Sequence, residues 1–243
     1  MTVARLLSVT ETLGAPRIFE RSLKLGQGYT SDGRGLVSMD KRALYPGPLA
    51  NLIDLCQALG CDDVGALAPH LSAAKSVHFG ADGDIGKCYL EFAPSDAPLD
   101  NLVFLSLKWR GDDVRVSHYK SVTHLPHPDK INFIDEIVSE PVLSETLKRC
   151  LDIARNGDPD GEAVTLHVQE VGSKRASVDI SIADAGRTIE SMKPIIAPLF
   201  DAFGISLDPF IDVEADAKFG HIAAGVDRAG KDFATLYYGA VQI

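Results

Sequence analysis

The stretch "GKCYLEF", residues 86–92, puts Lys87, Tyr89 and Glu91 on one side of an extended chain and Cys88, Leu90 and Phe92 on the other. An ammonium, a phenol and a carboxylate in one row are groups that bind ions and move protons. "DVRVSHYK" repeats the arrangement with Asp113, Arg115, Ser117 and Tyr119, "AVTLHVQEV" with Thr165, His167 and Gln169, and "RASVDISIA" with Arg175, Ser177, Asp179 and Ser181. His221 and Tyr237 fall in two further alternating runs, "KFGHIAAGV" and "DFATLYYGAV". If these rows face water, Lys87, Arg115 and Arg175 are ordinary strand cations paired with Glu91, Asp113 and Asp179. The tyrosines are then half-buried sheet aromatics and the histidines hydrogen-bonded structural residues. If the rows face one another, the protein holds a polar chamber.

The elements that carry these residues decide between the two. Five pairs of alternating runs surround Gly/Asp turns: "RIFERSLKLG" with "RGLVSMDKR" across "QGYTSDG", "KSVHFG" with "GKCYLEF", "LVFLSLKW" with "DVRVSHYK", "AVTLHVQEV" with "RASVDISIA", and "KFGHIAAGV" with "DFATLYYGAV". About ten strands follow. Between several of them lie helices with one apolar stripe. "GPLANLIDLCQALG" starts with Pro48 near N1 and stops at Gly60. "SETLKRCLDIARNG" takes Ser144 as its N-cap and Gly157 as its stop. "TIESMKPIIAPLFDAFG" is a third, kinked or delayed by Pro194 and Pro198. "THLPHPD" reads as a loop because of its prolines.

Helix stripes need apolar partners. The extended ones available are Val114 and Val116, then Val164, Leu166 and Val168, then Ala176, Val178, Ile180 and Ile182. The helices therefore lie outside the sheet. A sheet of about ten strands then either stays open with its polar face wet or curls and closes around that face; closure removes the edges. The fold class expected is α+β: an antiparallel β-barrel or strongly curved sheet of about five hairpins with helices outside, one domain over 1–243.

The bulk numbers agree with one sizeable core: 243 residues, 45% of them hydrophobic. The formal net charge of −10 argues against non-specific binding to nucleic acid or anionic membrane, so an anionic ligand needs a local cluster of cations. No stretch approaches the roughly 20 apolar residues of a membrane span, and the N-terminus has too short an apolar run for a signal peptide. Cys56, Cys61, Cys88 and Cys150 lack C-x-x-C spacing and fall in helix or strand runs, which predicts reduced thiols and a cytoplasmic protein.

Other patterns carry less. His124, His127 and Asp129 lack the helical H-E-x-x-H register of a zinc site, and no metal site is expected. Asp62-Asp63 and Asp112-Asp113 are not followed by a third aspartate at the spacing that holds magnesium in all-helical terpene enzymes. Neither "GHIAAG" nor "GADGDIG" opens a helix after a parallel strand, and no serine sits in a G-x-S-x-G elbow.

Hairpin and helix repeated around a polar lumen resembles the αββα-barrel aromatic prenyltransferases. "VTLHVQEVGSKRASVDISIADAGRTIESMKPIIAPLFDAFGISL" is similar to the hairpin, helix and glycine-terminated loop of their soluble bacterial members. "AAGVDRAGKDFATLYYGAV" and "HFGADGDIGKCYLEF" resemble their hairpins, in which a Lys/Arg-containing turn leads into a tyrosine-bearing strand. The resemblance covers about 80 residues, and the short "APSDAPLDN" replaces a helix that would complete a repeat. It implies transfer of an allylic prenyl group from a diphosphate to a small aromatic acceptor. By face, Lys87, Arg115 and Arg175 would hold the phosphates, with His167 and His221 as further donors. Tyr89, Tyr119 and Tyr237 would line the path of the allylic cation, and Glu91 or Asp179 would take the acceptor's proton. No cofactor of the protein's own is implied; magnesium accompanying the diphosphate is left open. Two rival readings share the architecture: a barrel that binds a small molecule without chemistry, and an accessory protein whose sheet face is a protein interface.

Overall fold

The computed structural model describes residues 1–157 and 162–243. Among them the chain forms ten strands: β1 (Ile18–Gly26), β2 (Tyr29–Asp40), β3 (Ala74–Asp82), β4 (Ile85–Phe92), β5 (Leu102–Arg110), β6 (Asp113–Ser121), β7 (Thr165–Glu170), β8 (Ala176–Ser181), β9 (Phe219–Val226) and β10 (Asp232–Gln242). Six helices accompany them: α1 (Val3–Glu11), α2 (Pro48–Ala58), α3 (His127–Ile137), α4 (Pro141–Gly157), α5 (Ile189–Ala202) and α6 (Asp208–Glu214). The strands close into an antiparallel barrel in the order β1-β10-β9-β8-β7-β6-β5-β4-β3-β2. Closure leaves no sheet edge to pair with another chain. Between β4 and β5, where a helix would complete a repeat, there is none.

Contacts divide the chain into two compact units. The first comprises Met1–Arg21, Gly33–Lys120 and Val241–Ile243. In it, Leu6 of α1 and Leu52, Leu55 and Cys56 of α2 pack on Val37, Val77, Phe79, Cys88, Leu90, Leu105, Leu107 and Trp109 of β2 to β5. The second comprises Ser22–Asp32 and Ser121–Ala240. There Leu147, Cys150 and Leu151 of α4 and Met192, Ile196 and Leu199 of α5 cover Val178, Ile180, Ile222, Ala224, Ala234 and Leu236. Each fully buried Leu or Ile of these clusters contributes roughly 1.5–3 kcal/mol. In both units the helices sit on the apolar strand faces, so the opposite, polar faces are the inner surface of the barrel. The four cysteines are free and buried, and burial pushes the Cys150 thiol up to about 12. No described helix is long and apolar enough to cross a membrane.

Five local expectations are corrected. The first hairpin turns on Gln27-Gly28 alone, with Gly28 at φ +71°, and the rest of "QGYTSDG" belongs to β2. "THLPHPD" is not all loop: Pro126 caps α3 and Pro128 sits in its first turn, where a missing N–H costs nothing. Ser144 is not an N-cap, because α4 begins a turn earlier at Pro141. The Glu140 carboxylate accepts from the Leu143 N–H at 2.8 Å, and Ser144 instead donates to Asp135 at 2.6 Å. In β7 the faces are reversed. Leu166 pairs with Asp179 and Val168 with Ser177, so both apolar side chains line the inner face, while Thr165 and His167 turn to the helices with Ile180 and Val178. Thr165 Oγ1 is satisfied there, donating to the Ala163 carbonyl at 3.0 Å, and the His167 ring packs edge-on against Phe133 of α3. The third helix runs unbroken from Ile189 to Ala202 with both prolines inside; Thr188 and Ser191 cap its start reciprocally, so neither proline delays it.

Candidate functional site

On the inner face of the first unit, cross-strand register stacks the polar residues in rows. Lys87 stands opposite Lys108, and Lys108 opposite Arg115, so three adjacent strands present three cations side by side. Like charges at directly opposed positions repel. Local carboxylates take up part of that repulsion: Lys87 Nζ lies 3.1 Å from Asp82, which also pairs with the buried Arg34, and Arg115 Nε lies 2.6 Å from Asp113. Lys108 is buried; its ammonium donates to Ser117 Oγ at 3.4 Å and sits 5.6 Å from the centre of the Tyr119 ring.

The next rows are aromatic. Tyr89 lies edge-on to Tyr119 at 5.7 Å, Tyr119 to Phe104 at 5.8 Å, and Phe104 to His78 at 5.4 Å. Edge-to-face packing of this kind aligns ring edges with ring faces and leaves other faces available to a cation. His78 closes the series with two polar contacts: its Nε2 is 3.1 Å from Glu91 and its Nδ1 2.7 Å from Ser38 Oγ. The His78 hydrogen bond holds the Glu91 carboxyl below its ordinary value, against burial that raises it. An ionised Glu91 accepts from Nε2–H, so in a neutral ring Nδ1 accepts from the Ser38 hydroxyl.

The inner face of the second unit carries a separate group. His221 Nδ1 lies 2.8 Å from Asp179 Oδ1, and the imidazole stacks on Tyr237 at 3.8 Å, 7° from parallel. One pair of rows away, the Arg175 guanidinium and the Lys24 ammonium both lie against the Phe233 ring, 5.3 and 5.1 Å from its centre. Arg175 Nη1 is buried and has no hydrogen-bond partner among the described residues. Glu170 is buried under a two-pronged bond from Arg228, at 2.6 and 2.9 Å. That bond clamps the two hairpin ends and leaves this carboxylate committed.

The structure thus puts Lys87, Tyr89, Glu91, Arg115 and Tyr119 on one inner face, and Arg175, Asp179, His221 and Tyr237 on the other. His167 does not join them; it lies under α3 for the register reason given above. Lys108, Phe104 and His78 were missed by reading only part of each strand. "LVFLSLKW" alternates, and extending its period places Phe104, Ser106 and Lys108 beside the row of Tyr89 and Lys87. Lys24 and Phe233 follow from the same extension. Among the described residues no three His, Cys, Asp or Glu side chains are placed to share a metal ion.

No protein-family model and no curated protein matches the chain. Solved structures do. Over 90% of this chain and 80% of its own, 5-dimethylallyltryptophan synthase from Streptomyces coelicolor superimposes with a TM-score of 0.62 at 12% identity. NotF in complex with brevianamide F and DMSPP gives 0.54 at 11% identity over 91% and 80% of the two chains. AnaPT from Neosartorya fischeri gives 0.51 at 12% over 92% and 78%. At such identity the likeness is one of fold, and it agrees with the hairpins and helices from which the barrel is built: the chain has the αββα-barrel fold of the aromatic prenyltransferases.

Proposed function

We propose that the chain is an aromatic prenyltransferase, which moves an allylic prenyl group from its diphosphate to a small aromatic acceptor inside the barrel. The observation that carries this reading is the row Lys87, Lys108 and Arg115 beside the rings of Tyr89, Phe104 and Tyr119, all on one inner face. A diphosphate needs several cations when it leaves water, and an allylic cation needs ring faces nearby. Arg175 and Lys24 offer a second cationic pair on the inner face of the other unit. The fold neighbours support the substrate kinds, since one of them holds DMSPP and brevianamide F.

In the reaction the bond from the allylic carbon to the diphosphate oxygen breaks, and its electron pair leaves with the diphosphate. The acceptor ring supplies the pair for the new bond and then loses a proton. On the inner face of the second unit His221, held by Asp179, is a group suited to take a proton; on the face that carries the cation row Glu91 is the carboxylate present, held below its ordinary value by His78. Magnesium would act here as the diphosphate's companion, adding positive charge beside a row in which Lys87 and Arg115 already face Asp82 and Asp113.

Isothermal calorimetry with dimethylallyl diphosphate tests the reading, joined to an assay of diphosphate release with a panel of indole and phenol acceptors. The expected result is micromolar-range binding, weakened about 10- to 100-fold in Lys108→Met, with turnover on at least one acceptor class. Absence of prenyl diphosphate binding by the folded parent chain overturns the reading. Binding that survives without any turnover makes the barrel a carrier of the same ligand.

A further inference from the structure

A second cationic site lies away from the inner strand faces. In the second unit, the start of α3 and the end of α4 frame a cavity of about 260 Å³. Lys130 enters it from α3, Arg155 from the last turn of α4, and His124 from the segment that leads into α3. Leu151 and Ala163 supply apolar wall.

Lys130 is the unusual member, because it is only 5% exposed although it carries a flexible charged side chain. Its ammonium has three donors. The bond it makes, to the Ala163 carbonyl, is 3.4 Å long, at the far edge of hydrogen-bond range. Burial pulls its pKa down, opposed by the nearby charge of Glu162. Among the described residues the cavity wall carries the basic side chains of Lys130 and Arg155 and the carboxylate of Glu162. His127 is already engaged, with Nε2 3.1 Å from Asp152. An ammonium withdrawn from water with one long hydrogen bond keeps its charge more readily when a further anion joins it beside Glu162.

We propose that this cavity binds a small phosphate-class oxyanion, gripped by Lys130 and Arg155 with His124 as a third donor. Donors reach the cavity from two helices and the segment between strand and helix, so they approach from different sides. That distribution suits the several oxygens of a tetrahedral anion better than the two coplanar oxygens of a carboxylate. The volume holds inorganic phosphate with room for the small organic body of a phosphate monoester. The site goes beyond the prenyl transfer proposed above, and shares no residue with it.

The test is nuclear magnetic resonance of the histidine ring signals during titration of the full chain, with inorganic phosphate in one arm, glycerol 3-phosphate in a second and acetate in a third. His124 signals, assigned by their loss in His124→Gln, are expected to move and saturate with a phosphate probe and not with acetate at equal concentration. A stronger response to the monoester identifies an esterified ligand, and an equal response the free ion. Arg155→Gln, on an exposed position that folding tolerates, is expected to weaken binding about tenfold, and Lys130→Met to abolish it. Lys108→Met on the barrel's inner face should leave these shifts unchanged, which separates the cavity from the prenyl diphosphate site. Static His124 signals in both phosphate arms, an equal response to acetate, or parental affinity in Arg155→Gln overturns the proposal.

Discussion

Tyr237 lies flat on His221: the ring centres are 3.8 Å apart, and the two residues stand directly opposite each other across β9 and β10. Asp179 meets the imidazole at its edge, 2.8 Å from Nδ1. The phenol fixes the plane of the ring and the carboxylate its rotation, so Nε2 has a set direction. A proton taken up by the ring is stabilised by the carboxylate. Asp179→Asn keeps the shape and removes that charge. Turnover is expected to fall about 100-fold or more while prenyl diphosphate binding holds within a few-fold. Steady-state kinetics beside calorimetry check this, and a parallel loss of both quantities would mean that the pair serves binding.

Lys108 and Arg115 face each other across β5 and β6, yet their surroundings differ. Lys108 is buried beside Tyr119, whereas Arg115 is half exposed and folds back on Asp113. A charge in a dry setting interacts more strongly than one at a wet surface. Lys108→Met is therefore expected to weaken diphosphate binding about tenfold more than Arg115→Met. The salt dependence of Kd should also flatten more in Arg115→Met, because exposed charges are the ones salt screens. Titrations at low and high ionic strength measure both effects.

The strand ring was legible because its alternation is regular: Lys87, Tyr89 and Glu91 announce a face whatever that face meets. Direction was the harder part. Period 2 separates two faces without saying which one the helices cover, and in β7 that choice went the unexpected way. Nothing in Thr165 or His167 alone shows that the Ala163 carbonyl and the Phe133 ring will be waiting on the helix side. Prolines misled where they act at a boundary. Pro126 and Pro128 open a helix instead of excluding it, and the carboxylate that starts α4 a turn before Ser144, Glu140, is read only once the helix is in view. Of the site, the cations and tyrosines were visible on their strands. The union of His221 with Tyr237 and Asp179 depends on register between strands distant in sequence, which composition does not encode.

Gly86 sits against the face of Trp109, the chain's one tryptophan, on the helix-covered side of β4 and β5. A Cβ there would come within 2.2 Å of the indole ring. The indole cannot retreat freely, since its Nε1–H donates to the Leu59 carbonyl at 3.2 Å at the end of α2. Gly86→Ala is expected to cost about 1–3 kcal/mol through overpacking, and to move the indole. Urea unfolding followed by tryptophan fluorescence reads both at once: a lower midpoint and an altered native emission maximum. An unchanged midpoint would mean that the α2 end yields at little cost.

Glu91 couples the inner face to stability in acid. Its folded carboxyl titrates below the ordinary glutamate value of ~4.3, because the His78 hydrogen bond favours the charged form more than burial opposes it. Above that ordinary value both folded and unfolded chains hold Glu91 ionised, and the pairing stabilises the fold in full. As pH falls below it, the unfolded chain takes up the proton first. The contribution then drains away until the folded carboxyl is protonated too. Asp40, Asp135 and Glu170 are lowered as well, so the parent chain alone cannot isolate the effect. Subtracting a Glu91→Gln variant does. That variant is expected to be about 1 kcal/mol less stable at pH 7, where the carboxylate's bond to His78 is lost, and to converge on the parent as pH drops through the acid range. Denaturant titrations at several pH values between 7 and 3 give the two curves, and a constant gap between them would show that the His78 contact does not depend on the Glu91 charge.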